Sequence, residues 1–278
     1  MGVMFMKLIV VDGHNYLFRS YYGVPPHQRD GTTPHLVYTF LASMRRMVTM
    51  LEPTHLAIVF DSATGTAAKK EQREEYKATR QEHDRDVFDQ KKILDEVLKK
   101  IGIFTLEHPD YEGDDLIGSI SVQCSQKGLP AMIASADFDF SQLVSDHISL
   151  LREHKGEYDI VTPIRVKELF GITPSQYVYY VSLKGDSSDN IKGIKGMGPK
   201  AASQLISQWV SLEQIFANVD FLPEKWARLF ENEQERLLQV RDFLKINQSI
   251  ALLPTSSQSF EFSRANLMAP TRSFLNTL

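Results

Sequence analysis

The sequence predicts an α/β protein with a mostly parallel, doubly wound sheet, followed by a helical region. Over about the first 160 residues, short continuous apolar runs alternate with longer segments whose apolar residues recur at helical spacing. Several of these runs end directly at an acidic residue. After about residue 160 the apolar residues recur only at helical spacing. Ligands of such sheets bind outside the carboxyl ends of the strands, so we expect these acids to meet at one edge.

Bulk composition limits the classes of protein that fit. The chain has 278 residues, of which 42% are hydrophobic and 24% charged, as is ordinary for soluble proteins. The single cysteine, Cys124, excludes an internal disulfide and indicates a reducing compartment. No apolar run approaches the roughly 18 residues of a membrane span. We therefore expect no membrane segment and a cytoplasmic protein.

The net charge of −4 argues at first sight against nucleic-acid binding. Nine of the 35 acidic residues, however, fall in short motifs that follow predicted strands or lie in turns. Without those nine, 31 basic residues face 26 acidic ones, a balance of +5. The charge is therefore compatible with a phosphate-binding surface once the motif acids are neutralised.

Buried apolar runs predict the strands, and the spacing of apolar residues predicts the helices. The predicted strands are 7–11, 54–60, 103–106, 131–134 and 148–152. Helical spacing covers 33–51 and 86–101, and a third helix opens at Glu112. Residues 62–92 are dense in both charge signs, which predicts either a solvated helix or a mobile segment. Residues 163–250 are predicted to be helical, and the polar stretch from Pro254 onward is expected to be loosely held.

Acidic residues follow three of the predicted strands and also lie in two later turns or helix starts. A single aspartate after a strand often only caps the next helix, and that interpretation fits Asp12 or Asp61 taken alone. As a set they would repel by ~4 kcal/mol for each pair about 4 Å apart, unless a cation neutralised them. Oxygen ligands without His or Cys suit Mg²⁺ or Mn²⁺, and two such ions can stabilise the attacking and leaving oxygens of a phosphodiester. The candidate ligands are Asp12, Asp61, Glu112, Asp114, Asp115, Asp137, Asp139, Asp186 and Asp189.

Two further segments offer contacts to nucleic acid. The segment YKATR (76–80) combines cations for a phosphate with a ring on which a base can stack, although mixed charge of this kind is more often a solvated helical face. Gly193, Gly196 and Gly198 precede a helix that begins near Pro199, among the lysines at 192, 195 and 200. Such a turn lets backbone groups approach one phosphodiester strand without reading its sequence.

Six segments, in this order, carry a resemblance to a known family: VVDGHNYLFRSYY (10–22), VFD (59–61), EYKATR (75–80), YEGDDLIG (111–118), ADFDFSQL (136–143) and LKGDSSDNIKGIKGMGPKAA (183–202). They resemble the 5′-nuclease family, which includes the N-terminal domain of bacterial DNA polymerase I and stand-alone bacterial and phage flap endonucleases. The resemblance runs from Lys7 to about Leu253, so we expect a stand-alone nuclease.

The resemblance implies a division of the chain into three parts. Residues 1–160 would form an α/β core of the PIN and 5′-nuclease type, with a helical arch at about 62–92. Residues 161–253 would form a helical DNA-binding region with a helix-three-turn-helix element at about 185–205. Residues 254–278 would be a loosely held tail.

The resemblance also implies the roles of individual residues. All nine acids would bind divalent metal, with Asp114 and Asp115 acting in catalysis together with Lys77 and Arg80. Lys69 would stand where an arginine is usual in the arch. A K⁺ ion would bind main-chain carbonyls of Leu183, Lys184, Lys192, Ile194 and Met197. The DNA contacts would be Tyr76, Lys77, Arg80, Gly193, Lys195, Gly196, Gly198 and Lys200.

The chain departs from the family pattern at two places. The family usually has Thr-Gly-Asp-Lys/Arg-Asp where this chain has SADFD (135–139). Both aspartates are kept, but Phe138 replaces a basic residue, which puts a phosphate contact in doubt. Gly113 replaces a usual alanine, a change expected to cost some helix propensity and little else.

The resemblance therefore implies a structure-specific 5′-nuclease: a monomeric, divalent-metal-dependent flap endonuclease or 5′-3′ exonuclease of DNA replication and repair. Its substrate would be branched or nicked DNA with a 5′ flap or 5′ end. Its location would be the cytoplasm, or the host cytoplasm for a phage protein. Two alternatives stay open: a non-catalytic DNA-junction binder, and a PIN-like ribonuclease, whose domains are typically shorter and lack the segment at 183–202.

Overall fold

The computed structural model describes residues 7–25, 34–62, 84–154, 156–230, 232–250 and 260–276. Within these ranges the strands are β1 (Leu8–Asp12), β2 (His55–Val59), β3 (Phe104–Leu106), β4 (Ala131–Ala134), β5 (Ile148–His154) and β6 (Glu157–Val161). They form one sheet in the order β3-β2-β1-β4-β5-β6. Every neighbouring pair is parallel except β5 with β6. The predicted mostly parallel α/β sheet is confirmed.

The central position of β1 follows from its residues, which are apolar on both faces. Leu8, Ile9, Val10 and Val11 are all buried, as is expected for a strand covered on both sides. From β1 the chain adds strands first on one side, β2 and β3, and then on the other, β4, β5 and β6. The crevice between the carboxyl ends of β1 and β4 is therefore the switch point at which sheets of this kind bind ligands.

Helices cover both faces of the sheet and form the second half of the chain. In the described ranges they are α1 (Gly13–Tyr22), α2 (His35–Leu51), α3 (Arg85–Ile101), α4 (Gly113–Gln126), α5 (Pro163–Phe170), α6 (Tyr177–Lys184), α7 (Pro199–Trp209), α8 (Leu212–Ala217), α9 (Glu224–Phe230), α10 (Gln234–Leu244), α11 (Arg264–Met268) and α12 (Thr271–Leu275). Helices α1, α2 and α3 pack against Ile9 and Ile58 on one face of the sheet. Helix α4 packs against Val10 and Val59 on the other.

The helical half has an apolar core of its own, which includes Tyr180 of α6, Leu205 of α7 and Leu237 of α10. Phe138, in a 3₁₀ helix at Phe138–Leu143, and Phe170 of α5 pack both against this core and against the α4 side of the sheet. The two aromatic rings therefore join the helical half to the sheet beside the end of β4.

Strand β6 is not predicted by the sequence pattern, which places the last strand at 148–152. In the structure Leu150 of β5 pairs with Val161 of β6 in an antiparallel register. Most residues of β6 are exposed or half-buried. An edge strand of this kind lacks the continuous apolar run from which the buried parallel strands were predicted.

The C-terminal stretch is held more tightly than its polar composition predicts. Phe260 is fully buried and its ring centroid lies 5.1 Å from that of Phe104. Arg45 of α2 donates hydrogen bonds to the carbonyls of Leu267 and Ala269, at 2.7 and 2.5 Å. The expectation of a loosely held tail is therefore wrong for residues 260–276, while the remainder of that tail lies outside the described residues.

The predicted arch at about 62–92 falls largely outside the described residues, which omit 63–83. Its last part, from Arg85 onward, is the start of α3. Among the helices of the described ranges, none combines the length and apolar character needed to cross a membrane.

Candidate metal centre

Five aspartates from separate parts of the chain line one small cavity at the carboxyl end of β1. The cavity has a volume of about 160 Å³, and His14, Asn15 and Phe18 of α1 complete its lining. It lies at the switch point of the sheet, where the strand ends were predicted to bring acids together. The aspartates are Asp12 at the end of β1, Asp61 after β2, Asp114 in the first turn of α4, Asp137 after β4 and Asp189 after α6.

Asp12 combines a structural role with a place in this cavity. One carboxylate oxygen accepts the backbone N–H of Asn15 at 3.0 Å, which caps α1. The other accepts the hydroxyl of Ser135 at 2.7 Å, which joins β1 to the residue that follows β4. Burial raises the pKa of Asp12 to about 6, those two hydrogen bonds lower it, and the charges of Asp61 and Asp137 raise it. Asp12 thus caps α1 and also lies close to the other acids of the cavity.

Asp61 connects the end of β2 to the start of α4. Its Oδ1 accepts the backbone N–H of Gly113 at 2.6 Å, so the carboxylate lies at the positive end of α4. The backbone N–H of Asp61 donates to Nδ1 of His14 at 2.8 Å. Because Nδ1 accepts this bond, the proton of the neutral imidazole is on Nε2.

The three acids at the start of α4 separate in space. Asp114 is half-buried and lines the cavity. Asp115 is buried, and its Oδ1 accepts the backbone N–H of Asn247 at 2.8 Å. Glu112 is buried at the residue before the helix. Of the three, only Asp114 lines the cavity of the five aspartates.

A second, larger cavity adjoins the first at Asp137. It has a volume of about 440 Å³ and is also lined by Asp139, Asp186 and Lys184. Asp137 accepts the backbone N–H of Asp139 at 2.8 Å and so caps the 3₁₀ helix. Burial, together with the charges of Asp137, Asp189 and Asp186, raises the pKa of Asp139 to about 8. The structure thus brings seven of the nine predicted acids to two adjoining cavities.

The acids of the helical half reach the sheet from a tight turn after α6. Asp186 and Ile191 exchange two backbone hydrogen bonds, of 2.8 and 2.6 Å. Gly185 has a φ of +80°, and a Cβ at Gly193 would lie 2.3 Å from the carbonyl carbon of Lys184. Both positions therefore require glycine, the first for its backbone conformation and the second for the close crossing of two backbone segments.

The carbonyls predicted to bind K⁺ lie around this same turn. The carbonyl of Leu183 accepts the N–H of Ile194 at 2.8 Å, and that of Ile194 accepts the N–H of Met197 at 3.0 Å. The carbonyl of Lys192 accepts Nη1 of Arg236 at 2.6 Å, and Nη2 of Arg236 donates to Gly193 at 3.4 Å. A carbonyl oxygen has two lone pairs, so these oxygens can each take a further partner, but a guanidinium already lies against the turn.

The residues predicted to contact DNA through the glycine turn are mostly exposed. Lys195, Gly196, Gly198 and Lys200 are exposed, and Gly193 is half-buried. Helix α7 follows with Gly198 at its N-cap, so its positive end can receive a phosphate. The arch residues lie outside the described residues, and their roles stay predictions: Lys69, Tyr76, Lys77 and Arg80.

Two residues of the first cavity, His14 and Asn15, were not predicted from the sequence. The side-chain oxygen of Asn15 accepts the backbone N–H of Ala136 at 3.2 Å, so it holds the turn after β4 against α1. Both residues lie in the first turn of a helix that starts directly after Asp12. Polar residues in that turn share the sheet edge with the strand-end acid, which is the signal that could have identified them.

The donors fit a hard divalent cation. In the part of the chain that the structure describes, no three His, Cys, Asp or Glu side chains form a ready-made ligand set for one ion. The aspartates instead line two adjoining cavities, in which burial and neighbouring negative charges raise the pKa of Asp12 and Asp139. A divalent cation would offset both effects, and carboxylate oxygens are the ligands that Mg²⁺ and Mn²⁺ prefer.

Two family models match the chain in succession. Residues 7–171 match the N-terminal resolvase-like domain of 5′-3′ exonucleases, and residues 172–267 match the C-terminal SAM fold of the same proteins. The boundary between the two matches falls directly after α5, past the last strand of the sheet. Together the matches cover nearly all of the described residues.

The chain is also similar to bacterial DNA polymerase I. It is 32% identical over 250 residues to the protein of Bacillus caldotenax, and this match covers 89% of the chain and 28% of the relative. It is 33% identical over 253 residues to the protein of Mycobacterium tuberculosis H37Rv, with the same two coverages. The chain thus spans less than a third of the length of these relatives.

Solved structures share the fold at low sequence identity. A T5 5′-exonuclease with bound zinc ions has a TM-score of 0.71 and 20% identity, over 87% of this chain and 90% of the other. The catalytic core of Rad2 in complex with a DNA substrate has a TM-score of 0.61 and 18% identity, over 98% of this chain and 88% of the other.

Proposed function

The chain belongs to the 5′-3′ exonuclease family, and on that premise we propose that it is a structure-specific 5′-nuclease that hydrolyses phosphodiesters at 5′ flaps and 5′ ends of DNA. The observation that carries the proposal is the convergence of five aspartates on one cavity at the switch point of the sheet. The chain spans only 28% of the length of its polymerase relatives, so the proposed activity depends on the residues of this chain's own site.

The aspartates of the two cavities are the proposed ligands of the divalent ions. Asp12, Asp61, Asp114, Asp137 and Asp189 would act at the first cavity. Asp137 would also act at the second cavity, together with Asp139 and Asp186. Two bound Mg²⁺ or Mn²⁺ ions would stabilise the attacking and the leaving oxygens of a phosphodiester. Glu112 and Asp115 are proposed as metal ligands too, from buried positions at the start of α4.

The proposed DNA grip is the turn between α6 and α7. Exposed Lys195 and Lys200 carry positive charge beside the N-terminus of α7, and such an end binds phosphate through backbone N–H groups. The contact is to the backbone, so it selects a position on DNA and not a sequence. A K⁺ ion at the carbonyls of Leu183, Lys184, Lys192, Ile194 and Met197 would complete this element.

The arch residues are proposed to contact the 5′ strand near the phosphate that is cut. Tyr76 would stack on a base, and Lys77 and Arg80 would neutralise the phosphate. This part of the proposal rests on the sequence segment EYKATR (75–80). The active form is proposed to be a monomer in the cytoplasm that serves DNA replication and repair.

The experiment that tests this function is cleavage of a 5′-labelled flap duplex, beside a matched 3′ flap duplex and an RNA hairpin, in Mg²⁺ and in EDTA. Cutting of the 5′ flap alone, and only with Mg²⁺, is the expected result. Tight binding to the flap without turnover would instead identify a non-catalytic junction binder. Preferential cleavage of the RNA hairpin would identify a ribonuclease.

A further inference from the structure

The guanidinium of Arg152 lies directly over the ring of Phe138. Its Cζ atom is 3.5 Å from the ring centroid, which is well inside the range of a cation–π contact. Arg152 comes from β5, and Phe138 opens the 3₁₀ helix that carries Asp139. The stack therefore places a positive charge behind the Phe138 wall of the second cavity, close enough to Asp137 for the two charges to interact.

A second contact fixes the same side chain to the turn after β4. Nε of Arg152 donates to the carbonyl of Ala136 at 3.1 Å. Ala136, Phe138 and Asp139 all line the second cavity. Phe170 lines it too, and its ring centroid lies 5.0 Å from that of Phe138. Arg152 thus holds the backbone and the aromatic wall of this cavity at the same time.

Most of the donor capacity of Arg152 is not used by these contacts. Within the described residues its partners are the ring of Phe138 and the carbonyl of Ala136, which occupy one face and one edge of the guanidinium. The two Nη groups donate to no described residue, and the side chain is only half-buried. Burial lowers the pKa of Arg152, whereas Asp159 and Asp137 raise it. A fork of N–H donors is the geometry that binds a phosphate with two parallel hydrogen bonds.

We propose that Arg152 is a DNA phosphate-binding residue of this site, held in place by Phe138, so that β5 supplies the cation that position 138 does not. The inference rests on the proposed nuclease function, because it assigns a further substrate contact to that same site. It also explains why a basic residue can be absent from the turn at 135–139: the charge enters from the neighbouring strand and stacks on the side chain that replaced it.

The competing role for Arg152 is purely structural, as a pin between β5 and the turn after β4. The two roles differ in their dependence on salt. A residue that neutralises one phosphate contributes about one unit to the slope of log affinity against log salt concentration, whereas a structural pin contributes nothing to that slope. A lower melting temperature in a variant would therefore indicate the structural role, and a smaller salt slope would indicate the phosphate contact.

The test measures binding of a fluorescent 5′-flap DNA duplex in EDTA, over a series of salt concentrations, together with the melting temperature of each variant. Arg152→Ala is expected to weaken binding about threefold to tenfold at low salt and to lower the slope by about one. Arg152→Lys keeps the charge and is expected to keep the slope. Phe138→Lys added to Arg152→Ala is expected to restore it, because the cation returns beside the same carboxylates.

Arg46→Ala is the matched control. Arg46 also lies over an aromatic ring, that of Tyr158 at 5.3 Å, and pairs with Glu153. Arg152 and Glu153 are successive residues of β5, so their side chains leave opposite faces of the sheet. Arg46→Ala is expected to leave the salt slope unchanged.

An unchanged slope in Arg152→Ala would overturn the proposal, whether or not the variant melts earlier. If Arg152→Ala does not fold, Arg152→Gln removes the charge and keeps a hydrogen-bond donor, and an unchanged slope in that variant would overturn the proposal as well. Because the binding assay needs no cleavage, it is separate from the test of the proposed function. If the wild-type protein cuts no flap, the proposed function is wrong, but the salt slope still shows whether Arg152 contacts a DNA phosphate.

Discussion

The backbone N–H of Gly113 donates to Oδ1 of Asp61 across 2.6 Å, and a Cβ at position 113 would lie 3.0 Å from that same oxygen. The glycine at the start of α4 therefore does more than weaken helix propensity, the only consequence that the sequence predicted. It lets a carboxylate of the cavity approach the first turn of the helix more closely than a larger residue would permit.

Gly113→Ala is expected to reduce the affinity for Mn²⁺ several-fold while leaving stability nearly unchanged. Alanine gains up to about 1 kcal/mol in helix propensity, but its methyl group pushes the half-exposed Asp61 carboxylate away from the helix. Calorimetric titration with Mn²⁺, beside a thermal melt in EDTA, measures the two effects. Gly198→Ala is the control, since nothing lies within 4 Å of a Cβ there. An unaltered Mn²⁺ affinity in Gly113→Ala would contradict the prediction.

Asp114→Asn and Asp115→Asn are both expected to lose cleavage of a 5′ flap by at least about 100-fold, the order seen when a group that stabilises transition-state charge is removed. Binding to the flap should survive in both. Alanine at position 115 is expected to lower the stability of the fold as well. Asp115→Ala removes the carboxylate that accepts the N–H of Asn247, which costs about 1–3 kcal/mol. Asparagine at 115 can still accept that bond. Wild-type cleavage by Asp114→Asn would show that the cavity is not the active site.

Without divalent ions, the stability of the protein is expected to depend on pH through Asp139. Burial raises the pKa of Asp139 to about 8 in the folded state, from about 3.9 in an unfolded chain. The folded state therefore binds more protons between these values, and this contribution to stability is lost as pH rises through about 8.

Asp139→Asn should consequently melt at a higher temperature than the wild type in EDTA, by a margin that widens from pH 4 to pH 8. Mg²⁺ should shrink or reverse that margin, because the wild-type carboxylate gains a cation that the amide binds poorly. Parallel melts of the two proteins across this range, with and without Mg²⁺, provide the measurement. A margin that stays constant with pH in EDTA would refute the raised pKa of Asp139.

Arg236→Ala is expected to make the turn after α6 depend on K⁺. The variant removes the guanidinium that donates to the carbonyls of Lys192 and Gly193, and a hydrogen bond to a charged group contributes about 1.5–3 kcal/mol. Potassium chloride should restore more of the lost melting temperature than tetramethylammonium chloride of equal ionic strength. Arg228→Ala, which breaks only an exposed pair with Glu224, should show no such difference. Equal recovery in the two salts would exclude a K⁺ role at these carbonyls.

The strands at the centre of the sheet could be predicted because they are buried on both faces. Strand β4 has its predicted bounds, and β1 and β2 lie within one residue of theirs. The prediction of an acid cluster followed from the strand ends, and Asp12, Asp61 and Asp137 do share a cavity. Strand β6 could not be predicted in the same way, since an edge strand with exposed residues has no continuous apolar run.

Which acid of a motif faces the cavity depends on contacts from distant parts of the chain. Asp114 and Asp115 are neighbours whose side chains leave the helix about 100° apart, and of the two only Asp114 lines the cavity of the five aspartates. The rotation of α4 is fixed by Asp61 at its first turn and by Asn247 at Asp115. The stack of Arg152 on Phe138 is likewise a tertiary contact, which is why the sequence showed only the missing basic residue.

The cavity of the five aspartates takes its lining from residue 12 through to residue 189. During synthesis the chain emerges at about 5–20 residues per second, so Asp12 and Asp61 leave the ribosome on the order of ten seconds before Asp189. Until the turn after α6 has emerged and closed against the sheet, the early acids lack their last partner. On the proposed function, we therefore expect the nascent chain to be unable to cut DNA until the turn after α6 has folded against the sheet.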